Sequence, residues 1–343
     1  MKKTRIAING FGRIGRLVLR AAIESKRDDL EFVAVNDVPT PVDQYALLLE
    51  YDSVHSKLQM PVAVNGNVIS VGDPGRAGGH NITVLAEKDP VALPWKELDI
   101  DIVMECTGIF TNADKAKVHL DAGAKRVLVS APSDGADATI VYGVNHKTLT
   151  REHKIISNGS CTTNCLAPVA AVLDDAFGIK NGWMTTVHAY TGDQVLLDRN
   201  HKDPRRARAA AMSMIPTSTG AAKAIGLVLP KLAGKLNGIA LRVPTPDVSV
   251  VELVVCTEKA ATIESVNKAM LDAANGSFAG ILGYVDRPLV SVDYTHDRRS
   301  SIIDSLLTNV VGGNLVHVTS WYDNEWGFSN RMCDTAAEIG KLL

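Results

Sequence analysis

In Ser157-Asn158-Gly159-Ser160-Cys161-Thr162-Thr163-Asn164-Cys165 a serine precedes a cysteine, and apolar residues then recur at Leu166, Val169, Ala170 and Leu173. That spacing predicts a helix capped by Ser160, with Cys161 in its first turn. Unpaired backbone N–H groups and the positive end of the helix dipole favour a thiolate there, below the free value of about 8.5. A small buried cysteine at a helix start fits the same residues, so the wider context has to decide. His188, in the β-rich run Gly182 to Tyr190, is the best base: strand alternation can aim it at the helix start, and imidazole titrates near neutral pH. Cys161 and Cys165 are four apart, but no second Cys or His pair at structural zinc spacing accompanies them, and no metal is expected. Cys165, one turn further in, reads as buried.

Gly10-Phe11-Gly12-Arg13-Ile14-Gly15 follows a strand pattern and opens a helix pattern. Gly10 permits a tight turn, Gly12 lets the backbone approach a pyrophosphate, and Gly15 lets helix and strand pack closely. Asp37 ends the second strand, where a carboxylate accepts hydrogen bonds from an adenosine ribose. Its charge opposes a 2′-phosphate, so NAD is expected ahead of NADP. A nicotinamide cofactor with a reactive cysteine points to aldehyde oxidation. Cys161 would form a hemithioacetal, a base would take its hydroxyl proton as hydride leaves, and a thioester would remain.

Anion recognition is the next element. Asp203-Pro204-Arg205-Arg206-Ala207-Arg208 gathers guanidinium groups, and Ser218-Thr219-Gly220 opens a helical stretch with hydroxyls and backbone N–H groups for a phosphate. A solvated or subunit-contact face is the other reading of the arginines. Arg242 stands inside the apolar run Ile239 to Val243, which calls for a paired or ligand-binding role.

The elements that must position these groups fall into two textures. Short β-rich runs at Thr4 to Asn9, Glu31 to Asn36, Ile102 to Cys106 and Arg126 to Ser130 alternate with helical patterns such as Ile14 to Ile23, which predicts a parallel α/β sheet. From about residue 180 longer strands follow, at Gly182 to Tyr190, Ile239 to Val243, Val248 to Cys256, Leu289 to Tyr294 and Leu315 to Tyr322. They read as an antiparallel sheet with helices at Ala209 to Leu229 and Ile263 to Ala274 on one face. A last helix, with Met332, Ala336, Ile339 and Leu343 on one stripe, returns to the first domain. Asp73 to His80 reads as a surface loop. The chain has 343 residues, 46% hydrophobic, and a formal charge of -2, which provides no bulk attraction to nucleic acid or anionic membrane. No apolar run approaches the roughly 20 residues that span a bilayer, and the start reads as a strand. Five scattered cysteines fit a reducing cytoplasm.

With GFGRIG, SCTTNC, HAYT, the RRAR segment, TSTGAAKA, RVPTPDVSV and WYDNEWGFSNR in this order, the chain resembles phosphorylating glyceraldehyde-3-phosphate dehydrogenases over nearly its whole length. The resemblance implies a Rossmann domain over 1–160 and 325–343, and an α+β catalytic and tetramerisation domain with a mixed, largely antiparallel sheet over 161–324. It implies a cytoplasmic homotetramer of glycolysis or gluconeogenesis that acts on glyceraldehyde 3-phosphate and inorganic phosphate. Carried over by position, Cys161 is the nucleophile and His188 the base. Thr191 and Arg242 hold the substrate's C3 phosphate, and Ser160, Thr162, Arg206, Thr219 and Gly220 stand at the site of the attacking phosphate. Gly10, Gly12, Arg13, Ile14, Gly15, Asp37, Lys88, Thr107 and Ser130 line the cofactor cleft, and Asn324 orients the nicotinamide carboxamide. One departure is Arg199-Asn200, where NAD-specific members usually carry Leu-Pro; it is expected to admit NADP as a second coenzyme by offering charge to a 2′-phosphate. Phe328, Gly159 and Pro204 also depart from common family residues and are expected to adjust packing. The nearest rival, erythrose-4-phosphate dehydrogenase, lacks the threonine that Thr191 supplies here; an NADP-using gluconeogenic form is the other alternative.

Overall fold

The strand and helix patterns resolve, in a computed structural model that describes residues 3–73 and 79–343, into two units. One comprises Met1–Ile140, His146–Gly159 and Ser329–Leu343, and the other Val141–Asn145 and Ser160–Phe328. The sequence reading had placed Val141–Asn145 in the first domain. Val141 is instead buried in the core of the second unit, where Gly143 approaches Ile281. The loop read at Asp73 to His80 falls mostly on 74–78, outside the described residues.

The first unit holds strands β1 (Thr4–Asn9), β2 (Leu30–Asn36), β3 (Val62–Asn65), β4 (Val68–Val71), β5 (His80–Leu85), β6 (Ile102–Glu105), β7 (Arg126–Val129), β8 (Ala138–Thr139) and β9 (Ile155–Ser157). They form one sheet in the order β8-β9-β7-β6-β1-β2-β5-β4-β3. Pairing is parallel from β8 through β5, and only the β5-β4-β3 edge is antiparallel. Every residue of β6 and β7 is buried, as expected of parallel strands covered on both faces. Helix α1 (Arg13–Glu24) connects β1 to β2, and after β3, β4 and β5 on that side the chain crosses to β6 on the other side of β1. That reversal opens a crevice at the carboxyl ends of β1 and its neighbours. The hairpin β3-β4 is not legible in the sequence because its strands are only four residues long.

In the second unit β10 (Ile179–Ala189), β11 (Ile215–Ser218), β12 (Leu236–Val243), β13 (Ser249–Thr257), β14 (Leu282–Val285), β15 (Ser301–Val311) and β16 (Leu315–Tyr322) pair in the order β11-β12-β10-β13-β16-β15-β14. Two of these pairings, β10 with β12 and β14 with β15, are parallel and the rest antiparallel, so the sheet is mixed. Among the helices are α2 (Cys161–Phe177), α3 (Ala221–Val228) and α4 (Ile263–Asn275). Leu166, Val169, Ala170 and Leu173 of α2 are buried with Ile225 of α3, Met270 of α4 and Leu253 of β13 in one core. Truncating such a leucine to alanine costs ~2–5 kcal/mol.

Two expectations fail here. Ala209 to Leu229 is not one helix: Pro216 lies in strand β11, and α3 begins only after Gly220. Proline disfavours a helix interior because it lacks the N–H and crowds the preceding turn. Leu289 to Tyr294 is not a strand but ends in a 3-10 turn at Ser291–Tyr294, where the Asp293 carboxylate accepts from Val290 N at 2.8 Å. A side chain that binds the local backbone competes with a strand ladder.

The closing helix α5 (Trp326–Gly340) buries Met332, Ala336 and Ile339. Within the first unit, Thr335 Oγ1 donates to Asn158 at 2.7 Å and Asp334 pairs with Arg27 at 2.8 Å. Leu343 does not share the stripe: the helix stops at Gly340, and Leu343 is exposed.

Candidate functional site

Ser160 caps α2 as its sequence demands, its Oγ accepting from Thr163 N at 3.0 Å, and Cys161 is the first helical residue. His188 arrives from β10, and its register partner in the parallel neighbour β12 is Arg242. Parallel partners share a face, so the strand pairing itself brings the guanidinium to the imidazole. Cys161 Sγ lies 3.5 Å from His188 Nε2. Arg242 Nη1 stands 2.9 Å from His188 Nδ1 and donates to the Ala189 carbonyl at 3.0 Å. That carbonyl is 2.6 Å from Nδ1. A carbonyl only accepts, and it is the nearer partner of Nδ1, while Arg242 Nη1 has the same carbonyl as its acceptor; this places the ring proton on Nδ1 and leaves Nε2 a lone pair toward sulfur.

The electrostatics differ from the sequence expectation of a lowered thiol pKa. Burial pushes Cys161 up, opposed by the charge of Arg242 and by the hydroxyl and N–H of Thr162. Burial, followed by Arg242, brings His188 down to about 3, against the Ala189 carbonyl. Each charge alone is disfavoured by desolvation. A proton moved from sulfur to nitrogen creates both charges within 3.5 Å of each other, and such a pair titrates as a unit. Cys165 is separated from this chemistry. Burial drives it to about 12, and its thiol faces Ser301 and the Ser320 carbonyl.

Around the pair, Thr191 Oγ1 accepts from Arg242 Nη1 at 3.5 Å, while Arg242 Nε is buried without a partner. An orphaned guanidinium donor suits an anionic ligand. Arg206 is clamped by Asp193 at 2.6 Å and by Thr217 at 3.0 Å. Thr219 Oγ1 accepts from Ala221 N, the first N–H of α3, at 3.2 Å, and Gly220 at the N-cap adds no side-chain cap. Thr162 is turned away from this role: its hydroxyl is buried against Tyr322 OH at 2.8 Å, and the same phenol reaches Thr186 at 2.9 Å. Asn324 is buried, and Ser249 donates to its Oδ1 at 2.7 Å, fixing the amide's orientation. Arg205 donates its backbone N–H to Asp203 at 2.9 Å, and Arg208 is exposed against Asp198 at 2.7 Å.

In the first unit the crevice is a cleft of about 320 Å³ lined by Gly10, Gly12, Asp37, Lys88 and Thr107, with Asn9, Asn36, Glu87 and Phe110 among its other walls. Gly10 has φ +95°, and a Cβ there would meet Thr107 N at 2.5 Å. A Cβ at Gly15 would lie 2.1 Å from the Gly10 carbonyl, whereas one at Gly12 meets nothing within 4 Å. The first and third glycines are thus required by packing, and the second leaves space over the helix start. Gly12 caps α1 without a side chain, so the helix N–H groups are open to a pyrophosphate. Asp37 Oδ2 and Oδ1 accept from Phe11 N at 2.6 Å and Val38 N at 2.7 Å, which fixes the carboxylate at the rim. These residues fit a dinucleotide. Arg13, Ile14, Gly15 and Ser130 are not among the lining residues. Arg13 reaches Asp52 at 3.2 Å, and Ser130 hydrogen-bonds Cys106.

The family model for the glyceraldehyde 3-phosphate dehydrogenase NAD binding domain matches residues 4–113, and the model for its C-terminal domain matches 160–324. Glyceraldehyde-3-phosphate dehydrogenase of Xanthobacter flavus is 60% identical over 338 residues, 98% of this chain and 99% of that protein. Those of Cereibacter sphaeroides and Geobacillus stearothermophilus are 57% and 56% identical, over 99% and 98% of this chain and 99% and 98% of their own lengths. The chain belongs to the glyceraldehyde-3-phosphate dehydrogenase family. It is an oxidoreductase acting on an aldehyde group, its cofactor is NAD, and its fold is the family's Rossmann domain with a mixed-sheet catalytic domain.

For a member of this family the sequence reading left several residues out. Tyr322 holds Thr162 and Thr186, Asp193 and Thr217 hold Arg206, Ser249 holds Asn324, and Asn9 and Asn36 line the cleft. The two asparagines carried a legible signal, since polar residues that end adjacent parallel strands open into the crevice. Tyr322 did not, because its partners come from α2 and β10, far apart in the chain. Among the described residues no helix is long and apolar enough to cross a membrane.

Proposed function

We propose that the chain catalyses the reversible oxidative phosphorylation of D-glyceraldehyde 3-phosphate to 1,3-bisphosphoglycerate with NAD. The approach of Cys161 Sγ to His188 Nε2 at 3.5 Å, with Arg242 beside the ring, carries the reading. Sulfur attacks the aldehyde carbon as its proton passes to His188 Nε2 and on to the former carbonyl oxygen, which becomes the hydroxyl of a hemithioacetal. His188 Nε2 takes that hydroxyl proton as the carbon loses hydride, which leaves a thioester on Cys161. Bound NAD supplies the hydride acceptor. Inorganic phosphate then attacks the thioester carbon, releasing the acyl phosphate and returning the sulfur. Thr191 and Arg242 hold the C3 phosphate. Ser160, Arg206, Thr219 and Gly220 serve the attacking phosphate, with Thr162 acting through its backbone and Tyr322.

Gly10, Gly12, Asp37, Lys88 and Thr107 hold NAD directly, Arg13, Ile14, Gly15 and Ser130 shape its site, and Asn324 orients the carboxamide. NADP serves as a secondary coenzyme through Arg199, which is exposed. The enzyme works as a cytoplasmic homotetramer in glycolysis or gluconeogenesis. The deciding assay follows NAD and NADP reduction with glyceraldehyde 3-phosphate plus phosphate or arsenate, and with erythrose 4-phosphate without phosphate. Phosphate-dependent turnover of the triose phosphate is expected. Activity confined to erythrose 4-phosphate would overturn the assignment.

A further inference from the structure

Glu105 ends β6 beside Asn9, its register partner at the end of β1, and is buried. Four donors converge on its two oxygens. Asn9 Nδ2 at 2.7 Å and His119 Nε2 at 3.0 Å meet Oε2, while Thr107 N at 2.7 Å and the Thr107 hydroxyl meet Oε1. Such a set suits a carboxylate, which only accepts. His119 would cancel the charge if it were a cation, but its other nitrogen faces Trp95 Nε1 at 3.3 Å. An indole N–H only donates, so Nδ1 must keep its lone pair, and the ring's single proton sits on Nε2. The 3.5 Å between Asn9 Nδ2 and His119 Nε2 is then the spacing of two donors that share Oε2. Phe110 packs edge-on against the ring, and Glu105 is the one charged group among these described partners of His119.

Asp37 follows β2 on one side of β1, and Glu105 ends β6 on the other. A dinucleotide with its adenosine ribose on Asp37 and its pyrophosphate at the start of α1 extends its nicotinamide half toward β6. Asn9 and Thr107, which donate to Glu105, line the cleft there. We propose that Glu105, kept anionic and uncancelled by the Trp95–His119 pair, is a specificity-determining charge that favours the oxidised, cationic nicotinamide over the reduced, neutral one. The phosphate charges are common to both coenzyme forms and drop out of their affinity ratio. The ring's single positive charge does not, and a buried carboxylate acts on it through a medium of low dielectric. This rests on the placement of NAD in the cleft given above.

Equilibrium titrations with NAD⁺, NADH and ADP-ribose test it without turnover. In Glu105→Gln the NAD⁺ to NADH affinity ratio is expected to shift roughly tenfold toward NADH, with ADP-ribose, which lacks the nicotinamide, within about twofold of wild type. Trp95→Phe removes the indole donor and leaves Nδ1 able to take a proton, so its ratio should depend on pH where that of the wild type stays flat. Nitrogen-15 spectra of the wild type should show His119 neutral with its proton on Nε2 between about pH 6 and 8. An unchanged ratio in Glu105→Gln, or a cationic His119, overturns the proposal. If Glu105→Gln does not fold, the Trp95→Phe titration and the wild-type spectrum decide. Gly12→Val probes the placement separately, because its side chain would enter the space over the helix start. Unimpaired binding of all three ligands to that variant would sink the placement of NAD rather than the role of the charge.

Discussion

His119 in the first unit and His188 in the second are both buried, yet the partner of Nδ1 gives them opposite chemistry. At His119 the Trp95 indole donates to Nδ1, so Nε2 carries the proton and points it at Glu105. At His188 the Ala189 carbonyl accepts from Nδ1, so Nε2 keeps a lone pair and points it at Cys161. One ring is a fixed donor and the other a base. Burial alone does not set what a histidine can do; the group on its far nitrogen does.

The largest effect that tests this contrast belongs to the base's own partner. Cys161→Ser should lower kcat/KM at least ~10³-fold, because a hydroxyl is far harder to ionise than a thiol; a loss under tenfold would remove covalent catalysis from the account. Exchanging the two histidines for asparagine comes next. His188→Asn is expected to cost ~10²–10⁴ in kcat and to slow iodoacetamide alkylation of Cys161 by at least about tenfold at neutral pH. His119→Asn should leave that alkylation within about twofold and instead lower stability by ~1–3 kcal/mol, read from urea midpoints, since it disturbs donors satisfied in the interior. If both variants slow alkylation equally, the contrast fails.

A pH series sharpens the same point. Burial, then Arg242, holds His188 at about 3, against 6.5 for an ordinary histidine. Between those values the unfolded chain binds a proton that the folded chain refuses. The stability tied to His188 is therefore complete above about 6.5 and is lost as pH falls toward about 3. In His188→Asn that part of the acid limb should flatten, and a limb identical to wild type would contradict the buried neutral ring. The smallest effect concerns the coenzyme: Arg199→Leu should raise the NAD to NADP ratio of kcat/KM by a few-fold, about 1 kcal/mol or less for an exposed charge. An unchanged ratio ends the case for Arg199.

Much of the fold was legible because its determinants are local. Helix α2 could be placed from Ser160 and the spacing of Leu166, Val169, Ala170 and Leu173, all of which the core buries. The parallel strands β1, β2, β6 and β7 could be placed from short apolar runs between helical patterns. Where long-range pairing overrode local pattern the reading failed, as at Ile215–Ser218, where pairing with β12 makes a strand of a segment read as helix. The stripe of the last helix was legible through Ile339 but not its end, because contact of Gly340 with Thr4 is a tertiary matter.

By itself the sequence determined the inventory: a capped cysteine, a histidine in a strand, a glycine fingerprint and its carboxylate, since residue type and near-neighbour spacing set which groups can exist and on which element. Only the tertiary structure decided their state. The parallel register of β10 with β12 put Arg242 against His188, and the Ala189 carbonyl chose the tautomer. Burial raised the thiol that the helix start alone would lower. Those outcomes depend on desolvation and on partners distant in the chain, and the physics of both is set by packing rather than by sequence neighbours.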